Sequence, residues 1–188
     1  MKGRSVGVVG TGRIGAGFAR IMLGLGCSVT AHDPSPDAGL VALRVGYLPM
    51  DALLAAADII SLHCPLTPQT RHMVNAAAIA RMKPGVMLIN TSRGGIVDTR
   101  SVIAGLKSGA IGRLVLDVYE EEAGLFFEDL SDQVIGDDVF ARLLTFPNVL
   151  VTGHQGFFTA EAMAAIAETP MANIMAFEMT RHALHQLA

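Results

Sequence analysis

The chain has 188 residues, 14 Lys and Arg against 17 Asp and Glu for a formal net charge of −3, and 51% hydrophobic residues of which few are aromatic. That length suits one domain with a full core or two very small ones, and near-neutrality without a basic run argues against a nucleic-acid or anionic-membrane surface. Two cysteines, Cys27 and Cys64, exclude a disulfide scaffold and point to a reducing compartment, the cytoplasm.

Residues 5–10 open the chain as a short apolar run, too short for a signal peptide. Further runs of this kind fall at 28–31, 59–62, 86–90, 114–117 and 149–152. They show little in-out alternation, which predicts parallel strands covered on both faces. Between them, 14–25, 49–56, 75–82 and 99–107 read as helices, with Gly26, Pro84-Gly85 and Gly109 as stop signals. The alternation predicts an α/β fold with a doubly wound parallel sheet. The longest apolar stretch, 52–60, is broken by Asp58, so no membrane span is expected. Residues 120–146 form a long connection, acidic at its start and carrying exposed-looking Leu125-Phe126-Phe127, and long connections tend to be functional. Residues 159–188 read as a helix that Pro170 should kink or split.

The string Gly10-Thr11-Gly12-Arg13-Ile14-Gly15 lies between the first strand and the first helix. Gly10 permits the tight turn, Gly12 lets the backbone approach a pyrophosphate, and Gly15 lets helix and strand pack closely. The helix N-terminus then offers free N–H groups and partial positive charge to the phosphates. Asp33, 18 residues past Gly15, ends the second strand where an acid accepts ribose hydroxyls. Its charge repels a 2′-phosphate and no Arg follows to compensate, which selects NAD over NADP.

Three later strand ends carry Arg93, the acids Asp117 and Glu120-Glu121-Glu122, and His154. In an open parallel sheet the ligand crevice lies at the carboxyl ends of the strands. Carbonyl reduction needs a proton donor, which His supplies near neutral pH, and a keto acid needs a cation, which Arg supplies as a fork. A carboxylate on the far imidazole nitrogen fixes its tautomer; spacing alone leaves open which of the three glutamates does so. Each residue also has a duller use, as a phosphate ligand, a solvated edge or a loop histidine. No G-x-S-x-G elbow occurs. His63-Cys64 and His182 with His185 lack the further ligands of a zinc site, so no metal is expected.

The glycine string with Asp33, the stretch Leu62-His63-Cys64-Pro65-Leu66-Thr67-Pro68-Gln69-Thr70, and Met82-Lys83-Pro84-Gly85 running to Asn90-Thr91-Ser92-Arg93-Gly94-Gly95-Ile96-Val97-Asp98 resemble the NAD-binding domain of the D-isomer-specific 2-hydroxyacid dehydrogenases. The resemblance covers nearly all of residues 1–188 and, through Gly153-His154-Gln155 and the long loop, leans toward the D-lactate dehydrogenases. It implies a Rossmann domain that binds NAD and serves hydride transfer between NADH and a 2-keto acid such as pyruvate. It implies that Arg93 binds the keto acid, that His154 is the proton donor and acceptor, and that Glu122 is its partner. It places Arg13 and Ile14 on the pyrophosphate, Asp33 on the ribose, Cys64, Pro65 and Thr70 on the adenosine side, and Thr91, Ser92 and Asp117 around the nicotinamide end. Phe157 or Phe158 would help shape the substrate pocket. A homodimer through the cofactor domain is also implied.

The family's substrate domain is absent from these residues, so the expectation is a chain that binds NAD with little activity alone. Ile174 and Phe177 are then expected to be exposed or covered by another chain. The competing readings are a non-catalytic NAD(H) sensor or partner-binding module, and a dehydrogenase for glyoxylate, hydroxypyruvate or phosphoglycerate.

Overall fold

The computed structural model describes residues 1–122, 125, 132 and 134–185. They form two compact units, Met1–Gly153 and His154–Ala188. Most of the acidic loop singled out by sequence, including Phe126, Phe127, Glu128 and Asp129, lies outside the described residues.

In the first unit the chain runs β1 (Ser5–Val9), α1 (Arg13–Gly24), β2 (Ser28–His32), α2 (Ala38–Ala42), β3 (Gly46–Tyr47), α3 (Met50–Ala56), β4 (Ile59–Leu62), α4 (Ala76–Ile79), β5 (Val86–Asn90), α5 (Thr99–Ser108), β6 (Ile111–Leu116), α6 (Asp138–Leu144) and β7 (Val149–Val151). The strands form one seven-stranded sheet in the order β3-β2-β1-β4-β5-β6-β7. Every pairing is parallel. This is the doubly wound α/β arrangement expected of the sequence. Its central strands are mostly aliphatic because helices cover both faces; all four residues of β4, Ser61 among them, are buried.

Side chains alternate between two cores, as the pleat requires. Val6 and Val8 join Ala16, Ala19 and Met22 of α1 and Leu40 of α2 in one. Val9, Ile60 and Leu62 join Leu53, Leu54, Ile79 and Val102 of α3, α4 and α5 in the other. Small residues on α1 let it lie close to the sheet, which fits a core with few aromatics.

Several boundaries differ from the sequence reading. β6 begins at Ile111, three residues early, because Gly112 lets it press against the turn before β5; a Cβ there would stand 2.5 Å from the Gly85 carbonyl oxygen. α4 is only Ala76–Ile79, cut short ahead of the Pro84-Gly85 turn. The short elements α2, β3 and a 3₁₀ turn at Gly94–Ile96 were not expected. Nor was α6, whose N-cap Asp137 accepts from the N–H groups of Val139 and Phe140 at 2.8 and 3.0 Å.

The second unit is dominated by α7 (Ala160–Thr180), capped by the Thr159 side chain accepting from the Ala162 N–H at 3.2 Å. Of the kink or split expected at Pro170, the split does not occur: one helix runs through it. Proline removes a single N–H donor, and the Ala, Met and Glu around it are strong helix formers. The helix stops short of the predicted end because Arg181 turns left-handed, φ 62°. No residue of α7 is buried; Ile174 and Phe177 are 53% and 51% exposed, as expected. Among the described residues no helix is long and apolar enough to cross a membrane.

Candidate active site

Strand order reverses between β1 and β4, so the chain leaves those two carboxyl ends in opposite directions and a crevice opens between them. A cleft of about 550 Å³ sits there, a size that suits a cofactor. Six of the sequence-predicted cofactor residues line it: Gly10, Gly12, Asp33, Cys64, Pro65 and Thr70.

The three glycines are used differently. Gly10 has φ +90°, and a Cβ on it would lie 2.5 Å from the Cys64 backbone nitrogen. A Cβ on Gly15 would stand 1.9 Å from the Gly10 carbonyl oxygen, so helix and turn touch backbone to backbone. A Cβ on Gly12 would meet nothing within 4 Å; it would project into open space at the start of α1. Arg13 and Ile14 begin that helix and are exposed, Ile14 to 75%. No acid occupies the first turn, leaving the N-terminal N–H groups and their positive dipole end to an anion.

Asp33 braces the same turn. Its Oδ2 accepts from the Thr11 N–H at 2.6 Å and its Oδ1 from the Ser35 N–H at 2.8 Å. Burial pushes its pKa up, but these N–H groups outweigh burial and hold the carboxyl below its ordinary value, so it is ionised at neutral pH. Each oxygen keeps a lone pair for a ribose hydroxyl. Burial pushes the Cys64 thiol up, keeping it protonated: a wall of the cleft, not a nucleophile.

The remaining unit-one residues ring the ends of β5 and β6. Ser92 donates its hydroxyl to the Cys64 carbonyl at 2.5 Å, tying the end of β5 to that of β4; Thr91 beside it is exposed. Arg93 is exposed, with Nη1 donating to the Ser92 carbonyl at 2.7 Å. Its backbone is held by fully buried Asn90, whose Nδ2 donates to the Arg93 carbonyl at 2.9 Å and whose Oδ1 accepts from the Ser92 N–H at 3.1 Å. Asp117 accepts from the Thr152 hydroxyl and donates its own N–H to the Asn90 carbonyl at 3.0 Å. Glu122 turns back over its own loop, Oε2 accepting from the Tyr119 N–H at 3.1 Å. None of these five lines the cleft between β1 and β4.

His154 is the first residue of the second unit and is half-buried. Its φ of 53° is left-handed, a conformation uncommon outside glycine although histidine enters it more readily than most. Within that unit Phe157 and Phe158 meet edge-on at 6.2 Å.

Sequence reasoning missed several groups. Tyr47 donates its hydroxyl to Thr11 Oγ1 at 3.1 Å and accepts from the Asp37 N–H at 2.8 Å, steadying the glycine turn from β3. His63 lines the cleft with its ring 5.1 Å from Phe18 of α1 and Nε2 2.9 Å from Ser61 Oγ; burial pushes its pKa down, so it is neutral. Glu120 pairs with His72 and Thr99, residues 48 and 21 positions away that no local pattern connects to it.

Residues 1–156 match the family model described as D-isomer specific 2-hydroxyacid dehydrogenase, NAD binding domain. A 2-hydroxyacid dehydrogenase A of Aspergillus oryzae is 52% identical over 180 residues, 95% of this chain and 51% of the relative. The D-lactate dehydrogenase of Escherichia coli is 49% identical over 178 residues, 95% of this chain and 54% of the relative. Among solved structures, the pyruvate reductase of Chlamydomonas reinhardtii superposes with a TM-score of 0.94 at 45% identity, covering 98% of this chain and 56% of that one. The chain therefore spans about half the length of the relatives it matches. By sequence family and by fold, the chain belongs to the D-isomer-specific 2-hydroxyacid dehydrogenases and comprises their NAD-binding domain.

Proposed function

We propose that these residues are the cofactor half of an NAD-dependent dehydrogenase that interconverts a small 2-keto acid, pyruvate foremost, and its D-2-hydroxy acid. The observation that carries this reading is the glycine turn: two of its glycines are packed solid while the Cβ position of the third opens on a cleft. The α1 N-terminus would hold the pyrophosphate and Asp33 the ribose, while Cys64, Pro65 and Thr70 would wall the adenosine side. When bound, NADH supplies the hydride. Arg93 would grip the substrate carboxylate with its fork and polarise the carbonyl. His154 would donate a proton to the carbonyl oxygen during reduction and take it back during oxidation. Glu122 would fix the imidazole tautomer and favour its protonated form. Thr91, Ser92 and Asp117 would shape the nicotinamide end.

The 188 residues assayed on their own should bind NADH and turn pyruvate over slowly, since Arg93 stands exposed and water competes for it. A homodimer through this domain and a cytoplasmic location complete the proposal. A fluorescence titration with NADH tests the first part, with micromolar affinity expected and no saturable binding refuting it. A keto-acid panel of pyruvate, glyoxylate and hydroxypyruvate tests the second. Faster turnover of either of the other two would overturn pyruvate as the substrate.

A further inference from the structure

The loop after β5 carries Arg93, and it is enclosed by contacts that do not belong to the cofactor cleft. Glu120, two residues before Glu122, extends its carboxylate across the start of α5. Oε2 accepts both the N–H and the hydroxyl of Thr99, at 3.1 and 2.6 Å, and Oε1 meets His72 Nε2 at 2.6 Å. His72 in turn donates its backbone N–H to the Gly95 carbonyl at 2.8 Å, with its own backbone left-handed at φ 48°. The circuit closes on itself: Gly95 to His72, His72 to Glu120, Glu120 to Thr99, and Thr99 back along the chain to Gly95.

The backbone of Tyr119 and Glu120 forms the lid of this circuit. A Cβ on Gly94 would stand 2.0 Å from the Tyr119 carbonyl carbon, so the residue after Arg93 is pressed directly onto the acidic turn. Glu120 is partly buried, its side chain 22% exposed, and it lies at the N-terminal end of a ten-residue helix whose own N-cap, Asp98, makes no capping bond. Instead Asp98 accepts from the Ser101 hydroxyl. A carboxylate there takes up the first N–H and faces the positive end of the helix dipole.

We infer that Glu120, through His72 and Thr99, is a positioning residue that sets Arg93 and Glu122 in register with one another. This rests on the proposed roles of Arg93 and Glu122. Three loops, after β4, β5 and β6, meet at one carboxylate, and two of them carry the groups proposed to act on the keto acid. Glu120 lies outside the cleft between β1 and β4, so its effect falls on the substrate end and not on dinucleotide affinity.

The test uses the 188-residue chain and its Glu120→Ala, Glu120→Gln and His72→Asn variants. Hydrogen exchange at the amides of residues 96–99 should speed up at least tenfold in Glu120→Ala and stay within threefold of wild type in Glu120→Gln, which keeps an acceptor for Thr99. NADH affinity should change by less than twofold in both. If Glu120→Ala fails to fold, His72→Asn opens one side of the circuit and should accelerate the same amides by a smaller factor. Unchanged exchange in the folded variants, or an equal loss of NADH affinity, overturns the inference. A second readout separates it from the functional reading: with NADH present, pyruvate should slow phenylglyoxal labelling of Arg93 in wild type. Glu120→Ala should need at least five times more pyruvate for the same protection. No protection in wild type defeats the assigned role of Arg93, while exchange still decides whether Glu120 holds the loop.

Discussion

Placing one methyl group on Gly12 and, separately, on Gly15 tests whether the open side of the glycine turn is where the dinucleotide sits. At Gly12 the backbone, φ −64° and ψ −170°, is open to any residue, and the new Cβ meets nothing within 4 Å. The fold should lose only the difference between Gly and Ala at an N-cap, about 0.5–1 kcal/mol. At Gly15 the Cβ would fall 1.9 Å from the Gly10 oxygen. Ordinary packing needs turn and helix to part by about 1.5 Å, and overpacking of that kind costs about 1–3 kcal/mol or more. Gly15→Ala should therefore melt several degrees lower, roughly 2–4 °C per kcal/mol for a chain of this size. Gly12→Ala should melt almost normally and yet bind NADH at least tenfold more weakly, about 1.4 kcal/mol, because its methyl occupies the approach of the pyrophosphate. Thermal unfolding and NADH fluorescence on both variants read the two effects separately. Wild-type affinity in Gly12→Ala would refute the assignment of the pyrophosphate to this turn, and a wild-type melting temperature in Gly15→Ala would refute the rigid contact beneath it.

Acid should unfold the chain partly through Asp58. The Ser5 N–H at 2.9 Å and the Lys83 ammonium at 2.9 Å hold its pKa below the ordinary value, so its stabilising effect is complete above about pH 4 and lost as pH falls toward the folded-state value. Melting curves from pH 6 to pH 2 should drop more steeply for wild type than for Asp58→Asn; equal slopes would remove Asp58 from the account. Leu88 is fully buried in the sheet core, and Leu88→Ala should cost about 2–5 kcal/mol in urea denaturation; a loss under about 1 kcal/mol would mean that the surroundings collapse into the space. Arg93→Ala should leave NADH affinity within about twofold, since its guanidinium contacts the Ser92 carbonyl outside the cleft, and should abolish any pyruvate reduction the chain supports. Unimpaired reduction by that variant would strike Arg93 from the substrate site.

The strands were legible because a doubly covered parallel sheet has one solution in sequence, a short aliphatic run ended by a polar or glycine residue. β4 and β5 fall where the pattern puts them. The glycine turn was legible for a related reason: Gly10 and Gly15 answer local demands, a positive φ and a backbone-to-backbone contact, while Gly12 leaves its Cβ side open. α6 was readable and overlooked, since Asp137 followed by Val139, Phe140 and Leu143 is an N-cap with helical spacing, but the acidic stretch ahead of it looked like one loop. α2 and β3 are too short to leave a periodic trace. Pro170 does not split its helix because its penalty is local, and the helix formers on either side outweigh it. Among the site residues, Asp33 could be placed from its strand end, whereas Cys64 was placed only through the family resemblance. The clasp of Glu120 could not, because its two partners, His72 and Thr99, converge on it only once β4, β5 and β6 lie side by side.

Asp33 performs two tasks with one carboxylate, as the acid facing the cleft and as the tether of Thr11 and Ser35. Anyone seeking to convert this domain to a phosphorylated dinucleotide would begin by removing that negative charge. Doing so also releases the Thr11 amide and loosens the bend proposed to seat the diphosphate. Cofactor exchange here calls for a paired substitution: a cation for the extra phosphate, and a neutral acceptor such as an amide or hydroxyl oxygen to keep Thr11 in place.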